Sequence, residues 1–194
     1  MVTLCLDSAH HFLAIALLKD GVYFDGVLKK YPRQQSEYIM EEISEIFQKH
    51  HLKPTMIDSV VVSNGPGSFT GVRIALTVAK IISSQLNIPL YTLSTLQLYA
   101  GLDDVEVILD ARSNRIYYGK FQAGTIVIAP TIKELSDFKP TSFNLIGDLE
   151  VIGETSNFPN YLNNFALLKD FYHLEENIDT AVPLYLKSDE AYRK

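Results

Sequence analysis

Three groups of residues in this 194-residue chain have types and spacings that can do chemistry. The first is the stretch Gly65-Pro66-Gly67-Ser68-Phe69-Thr70-Gly71-Val72-Arg73-Ile74-Ala75. It joins an apolar run at 57–62, which reads as a buried strand, to an apolar stretch at 72–86, which reads as a helix. Three glycines and a proline there demand a sharp turn with unusual backbone angles. Ser68 or Thr70 can cap the first amides of the helix. Such a junction can also hold an anion, because free amides and the helix dipole point at it. Its spacing fits neither common phosphate loop. No Lys follows Gly71, and Thr70 stands where a dinucleotide fingerprint needs its third glycine. A tight strand-to-helix turn is the simpler reading.

The second group is histidine. His10-His11 and His50-His51 are adjacent pairs, His173 stands alone, and no His-x-x-x-His occurs, so the spacing offers zinc no ligand set. The third group is carboxylates at strand ends, Asp7 and Asp110, where Asp commonly bonds its own turn. Ser68 lacks the Gly-x-Ser-x-Gly elbow of a hydrolase, since position 66 is Pro. Asp103-Asp104 and Glu175-Glu176 sit in polar context and read as solvated surface.

These residues need elements to hold them. The first half reads as strands at 2–7, 12–18 and 22–29, a helix at 36–50, a strand at 57–63, the glycine turn, its helix to 86, and a short strand at 89–93. The second half reads as strands at 106–110, 115–122 and 125–129, a helix at 132–138, short strands near 145 and 151, a helix at 161–171 and a polar tail. The halves echo each other: Asp7, Leu13 and Gly21 recur 103 residues later as Asp110, Ile116 and Gly124. Alternating strands and helices imply an α/β fold with mixed sheets.

Composition narrows the function. With 47% hydrophobic residues there is ample material for a core. No apolar run reaches membrane-spanning length. The first seven residues lack the basic region of a signal peptide, and the one cysteine, Cys5, lies in an apolar strand, which suits a small core residue in a reducing, cytoplasmic setting. A net charge of −6, with no basic run longer than Lys29-Lys30, argues against strong direct binding of nucleic acid or another polyanion.

The glycine-turn stretch closely resembles the signature of the bacterial TsaB (YeaZ) family. Leu6-Asp7-Ser8, Asp110-Ala111-Arg112 with Ile116-Tyr117-Tyr118, Ser94-Thr95-Leu96, and Pro183-Leu184-Tyr185-Leu186-Lys187 fit the same family, so the resemblance runs over nearly the whole chain. It implies two tandem actin-like (ASKHA, RNase H-like) βββαβα units, the second one reduced, divided as residues 1–93 and 94–194. ATPases of that superfold carry an Asp near Mg²⁺ and glycines that admit phosphate after each unit's first strand. Here Asp7-Ser8-Ala9-His10 and Asp110-Ala111-Arg112-Ser113 keep the aspartates without the glycines, so Asp7 and Asp110 read as turn caps before cofactor ligands.

The resemblance further implies a non-catalytic subunit in threonylcarbamoylation of adenosine 37 of tRNA. It would dock the TsaD transferase together with the TsaE ATPase, and would form a homodimer when alone. ATP or ADP would then sit at a partner interface, with no cofactor of its own. A small ATP-dependent enzyme of the same superfold, or a glycoprotease-like hydrolase, is the alternative.

The helix at 72–86 bears on this choice. Val72, Ala75, Leu76, Ala79 and Ile82 form one apolar face, and Ile74, Val78 and Ile81 form a second. That arc is wider than a surface helix needs to cover its own core. Either the helix is enclosed within its own fold or the outer stripe awaits a protein. The preceding helix is ordinary: Ile39, Met40, Ile43, Ile46 and Phe47 on one side, and Glu37, Glu41, Glu42 and Glu45 on the other. Carried over from the family, the pairing surface comprises Tyr38, Glu42, Ile74, Val78 and Ile81. The chain departs from the family at Gln35-Ser36-Glu37, where a His often precedes the Ser.

Overall fold

The computed structural model describes residues 1–31, 34–141 and 143–186. The elements run β1 (Val2–Asp7), β2 (Phe12–Lys19), β3 (Val22–Lys30), α1 (Gln35–Lys49), β4 (Ser59–Ser63), α2 (Phe69–Leu86), β5 (Leu90–Leu93) and α3 (Thr95–Ala100). They continue with β6 (Val105–Arg112), β7 (Arg115–Gln122), β8 (Thr125–Glu134), β9 (Asn144–Gly147), α4 (Asn164–Leu167) and β10 (His173–Leu174).

Two sheets result, β10-β5-β4-β1-β2-β3 and β8-β7-β6-β9. The inner order β3-β2-β1-β4 is the order β8-β7-β6-β9, with the first three strands antiparallel and the fourth parallel in each. The repeat extends to backbone angles. Asp20-Gly21 turns at φ 53° and 78°, and Ala123-Gly124, 103 residues on, at 47° and 77°. Two successive positive angles match the right-handed twist of hairpin strands.

β1 and β4 are buried along nearly their whole length, and their middles are apolar, because both faces are covered. One face meets α1 and α2 through Leu4, Leu6, Val60 and Val62, packed with Ile39, Ile43, Ala75 and Leu76. The other meets the second sheet across a shared core of Cys5, Val61, Leu96, Val107, Leu109, Tyr117 and Phe165. A smaller cluster of Ile108, Ile116, Tyr118, Phe138 and Leu149 covers the outer face of the second sheet. Tyr117 and Tyr118 take opposite faces, both buried, as strand alternation requires.

Several elements differ from the sequence reading. The helix expected at 132–138 is the end of β8, where Ile132 pairs with Tyr117 and Lys133 with Ile116, followed by one 3-10 turn at Leu135–Asp137. Strand pairing overrides a short local pattern there. The strand expected near 151 is a 3-10 turn, Leu149–Ile152. The helix expected at 161–171 shrinks to α4 and a 3-10 turn at Lys169–Phe171. α3 has all six residues buried, so no polar face marked it in the sequence. After β9 the chain leaves the second sheet: β10 pairs with β5, and Ala181 packs against the α1–α2 core.

Candidate functional site

The glycine turn is built against the turn that follows β1. Ser68 caps α2, accepting from the Gly71 amide at 3.3 Å, while Thr70 lies exposed in the first turn. The Ser68 amide donates to the Ala9 carbonyl at 2.7 Å. The Ser8 hydroxyl donates to the Gly71 carbonyl at 2.7 Å and accepts from the Ala75 amide at 3.2 Å. A Cβ at Gly67 would strike the Ala9 carbonyl, and one at Gly71 would strike the Ser8 carbonyl. The glycines therefore admit the chain's own backbone in the place where a phosphate loop would admit its ligand.

Gly65, at φ 105°, begins a cis bond to Pro66, and its carbonyl accepts from the Thr95 amide at 2.8 Å. The two ends of the family signature meet here. The Leu184 amide donates to the Asn64 carbonyl at 2.7 Å, and Arg73 donates from Nε to the Tyr185 hydroxyl at 2.8 Å. The Arg73 guanidinium also lies 4.3 Å from the centre of the Phe69 ring. Lys187, the last residue of the second signature stretch, lies outside the described residues.

Asp7 is fully enclosed. One carboxylate oxygen accepts from the Ala9 amide at 3.1 Å and from the Ser63 hydroxyl; the other accepts from Tyr161 at 2.9 Å and Tyr99 at 3.3 Å. Burial raises its pKa, and these hydrogen bonds oppose the shift. Burial and the nearby Asp7 raise both tyrosines well above their ordinary range, so they stay protonated donors. Asp110 is half-buried, accepts from the Arg112 amide at 2.7 Å, and pairs with the Arg112 guanidinium at 2.8 Å. Both aspartates cap their own turns.

The surface expected for pairing divides. On α2, Ile81 is 58% exposed, and Ile74 and Val78 are half-buried against the α1–α2 core. On α1, Met40 is 56% exposed, and Tyr38 is half-buried and stacked on Tyr31 with ring centres 4.4 Å apart. Met40 thus leaves the apolar side assigned to it. Glu42 leaves the polar side: it is buried, and Oε1 accepts from Lys29 at 2.6 Å and Tyr31 at 2.5 Å. The β2–β3 hairpin covers that side of α1, which spacing within the helix alone cannot reveal.

One polar cluster went unread in the sequence. His10 and His11 stand in the turn between β1 and β2, not on a helix, so both rings turn toward one place. Nε2 of His10 lies 2.7 Å from Oδ2 of Asp148, just after β9 in the other unit. The side chains of His10 and Asp148 are 8% and 12% exposed. Burial pushes the Asp148 carboxyl up, but His10 and the Asp110 amide outweigh it and hold it below the usual range. Burial, and then His10, lower the pKa of His11. The signal was an adjacency of histidines at a strand end; the partner 138 residues away was invisible. Gln35 donates from Nε2 to the His10 carbonyl at 2.7 Å.

Comparison with known proteins places this geometry. The TsaD family model, tRNA N6-adenosine threonylcarbamoyltransferase, matches residues 27–141. The chain is 31% identical over 129 residues to the tRNA threonylcarbamoyladenosine biosynthesis protein TsaB of Bacillus subtilis, spanning 63% of this chain and 56% of that protein. To the Escherichia coli protein of the same name it is 29% identical over 129 residues, spanning 63% and 55%. The matched stretch is thus little more than half the length of those two relatives. A TsaB of Buchnera aphidicola matches more extensively, at 24% identity over 86% of this chain and 83% of that protein. Among solved structures, an uncharacterized protein described as similar to peptidase YeaZ from Pseudomonas aeruginosa superposes with a TM-score of 0.83 at 20% identity, covering 96% of this chain and 99% of that one. YeaZ from Pseudomonas aeruginosa gives a TM-score of 0.78 at 20% identity, covering 95% and 99%.

Proposed function

The chain belongs to the TsaB/YeaZ family, whose actin-like fold is related to that of TsaD, and we propose that it serves tRNA threonylcarbamoyladenosine biosynthesis as a non-catalytic, cytoplasmic docking subunit. Its partner is the TsaD transferase, joined by the TsaE ATPase, and it pairs with itself when alone. Units 1–93 and 94–194 divide the work. The first carries the docking helices, and the second closes the shared core.

The observation that carries this reading is the outward stripe of α2. Ile81 is more than half exposed, and Ile74 and Val78 lie two turns and one turn before it. An apolar stripe on a stable helix is a surface that another protein can cover. Tyr38 of α1 extends it; Glu42 lies beneath as support for Lys29 and Tyr31. Docking works by population shift, since a subunit that binds the active form of an enzyme more tightly enriches that form. The enclosed Asp7 and the closed glycine turn favour this role over an ATP-dependent one: four protein groups already bond the two Asp7 oxygens, and Ser8 and Ala9 occupy the cradle. If a nucleotide takes part, it binds between partners.

The double change Ile74→Glu with Val78→Glu tests the reading. It is expected to leave the circular dichroism spectrum intact while abolishing co-elution with TsaD at micromolar concentration. Unfolding of the double variant would mark the stripe as core, because a buried unpaired charge is very costly. Wild-type protein that fails to associate with TsaD would sink the docking role. Mass spectrometry of tRNA nucleosides after depletion of the protein tests the pathway separately, with loss of threonylcarbamoyladenosine expected.

A further inference from the structure

A ring nitrogen of His10, one of His11 and a carboxylate oxygen of Asp148 all lie within 4.8 Å of one another, where the β1–β2 turn of the first unit meets the end of β9 in the second. We propose that these three side chains form a site for a divalent transition-metal ion, zinc foremost, that fastens the two units to each other.

The donor set suits such an ion. Two imidazoles and one carboxylate are borderline nitrogen and hard oxygen donors, a combination typical of zinc and its neighbours and foreign to magnesium or calcium, which want oxygen alone. The spacing suits it too. Ligands of a tetrahedral zinc ion at about 2.1 Å stand roughly 3.4 Å apart, between the 2.7 Å of the His10–Asp148 pair and the 4.8 Å limit of the cluster.

The site is also prearranged. Asp148 accepts from the Asp110 amide at 2.7 Å, and Gln35 holds the His10 backbone carbonyl. The His10 ring is flanked by His11, at 4.0 Å between centres, and Phe158, at 5.2 Å.

The ion would bind the side of the His10 ring that Asp148 already holds: it takes the place of the proton between Nε2 and Oδ2, and both atoms become ligands. Three protein ligands leave a coordination position for water or an anionic oxygen. The site is remote from the α2 stripe in residues and in chemistry, so it stands or falls separately from the docking role.

The test uses the untagged full-length chain, freed of metal by chelator and titrated with zinc chloride by calorimetry and with cobalt chloride by visible absorption. One ion per chain is expected, with cobalt d–d bands and a zinc-dependent rise in melting temperature. His10→Gln and His11→Gln are each expected to weaken binding at least tenfold, about the smallest loss seen when a metal's supporting shell is altered. His11 is half-buried, so His11→Gln carries the test should His10→Gln fail to fold. Asp148 is left intact because it also serves the Asp110 amide. Absence of uptake at about 100 μM zinc overturns the proposal, since binding that weak gives no useful stabilisation. So does binding in both variants as strong as in the wild type, which would put the ion on His50, His51 or His173.

Discussion

Asp7 at the end of β1 and Asp110 near the end of β6 belong to the first strands of two units built in the same strand order, and their surroundings are opposite. Each bonds the amide two residues on, the local turn that the strand end dictates. There the likeness stops. Asp7 is enclosed by Ser63, Tyr99 and Tyr161, brought from β4, α3 and the segment before α4. Asp110 faces Arg112, which is 69% exposed. A repeated local motif fixes how a carboxylate caps its turn; what packs over it fixes whether it becomes a structural hub or a surface ion pair.

The largest expected effect tests this contrast directly. Asp7→Ala strands three hydroxyls and an amide in the core and should cost about 4 kcal/mol in urea unfolding, whereas Asp110→Ala should cost under about 1 kcal/mol. Equal losses would erase the distinction. Next comes the backbone approach that only the first unit makes through its long helix. Gly71→Ala presses a methyl into the Ser8 carbonyl and should cost about 2 kcal/mol. Gly153→Ala, in the second unit, has open space but a φ of 83° and should cost about 1 kcal/mol from backbone strain alone.

Acidity sharpens the comparison further. The folded-state pKa of Asp7 is raised above its unfolded value, so folding binds its proton more tightly. Its favourable contribution is full below the unfolded value near 3.9 and fades as pH rises through the folded value. Wild-type protein should therefore gain stability relative to Asp7→Asn as pH falls from 7 toward 4, read from denaturation midpoints. Asp25 runs the other way. Burial alone would raise it, but Lys49, His50 and the Gly26 amide together hold it at about 2. Its contribution is present above about 4 and is lost as pH falls toward 2, a loss that Asp25→Asn removes. The smallest effect is Arg112→Ala, which opens an exposed pair and should cost at most about 0.5 kcal/mol.

The sequence carried more of the fold than of the site. Residues 2–30 read correctly because alternating apolar runs and the Asp20-Gly21 turn are short-range signals. The second unit was harder to read. Its helices have shrunk to single turns, and periodicity needs several turns to register. At the candidate docking face, the chemical identity of Ile74, Val78 and Ile81 was visible, but the burial of Glu42 was not, since Lys29 and Tyr31 reach it from another element.

Sequence by itself determined the two repeated units, the glycine turn and the family, because each is written in contiguous residues whose conformations depend on near neighbours. Only the tertiary structure decided that Gly67 and Gly71 receive the Ser8–Ala9 backbone, that two tyrosines close over Asp7, and that His10 meets Asp148. Those contacts join residues 58 to 154 positions apart, and a chain records no such distances locally; they are set by how two sheets pack around one shared core.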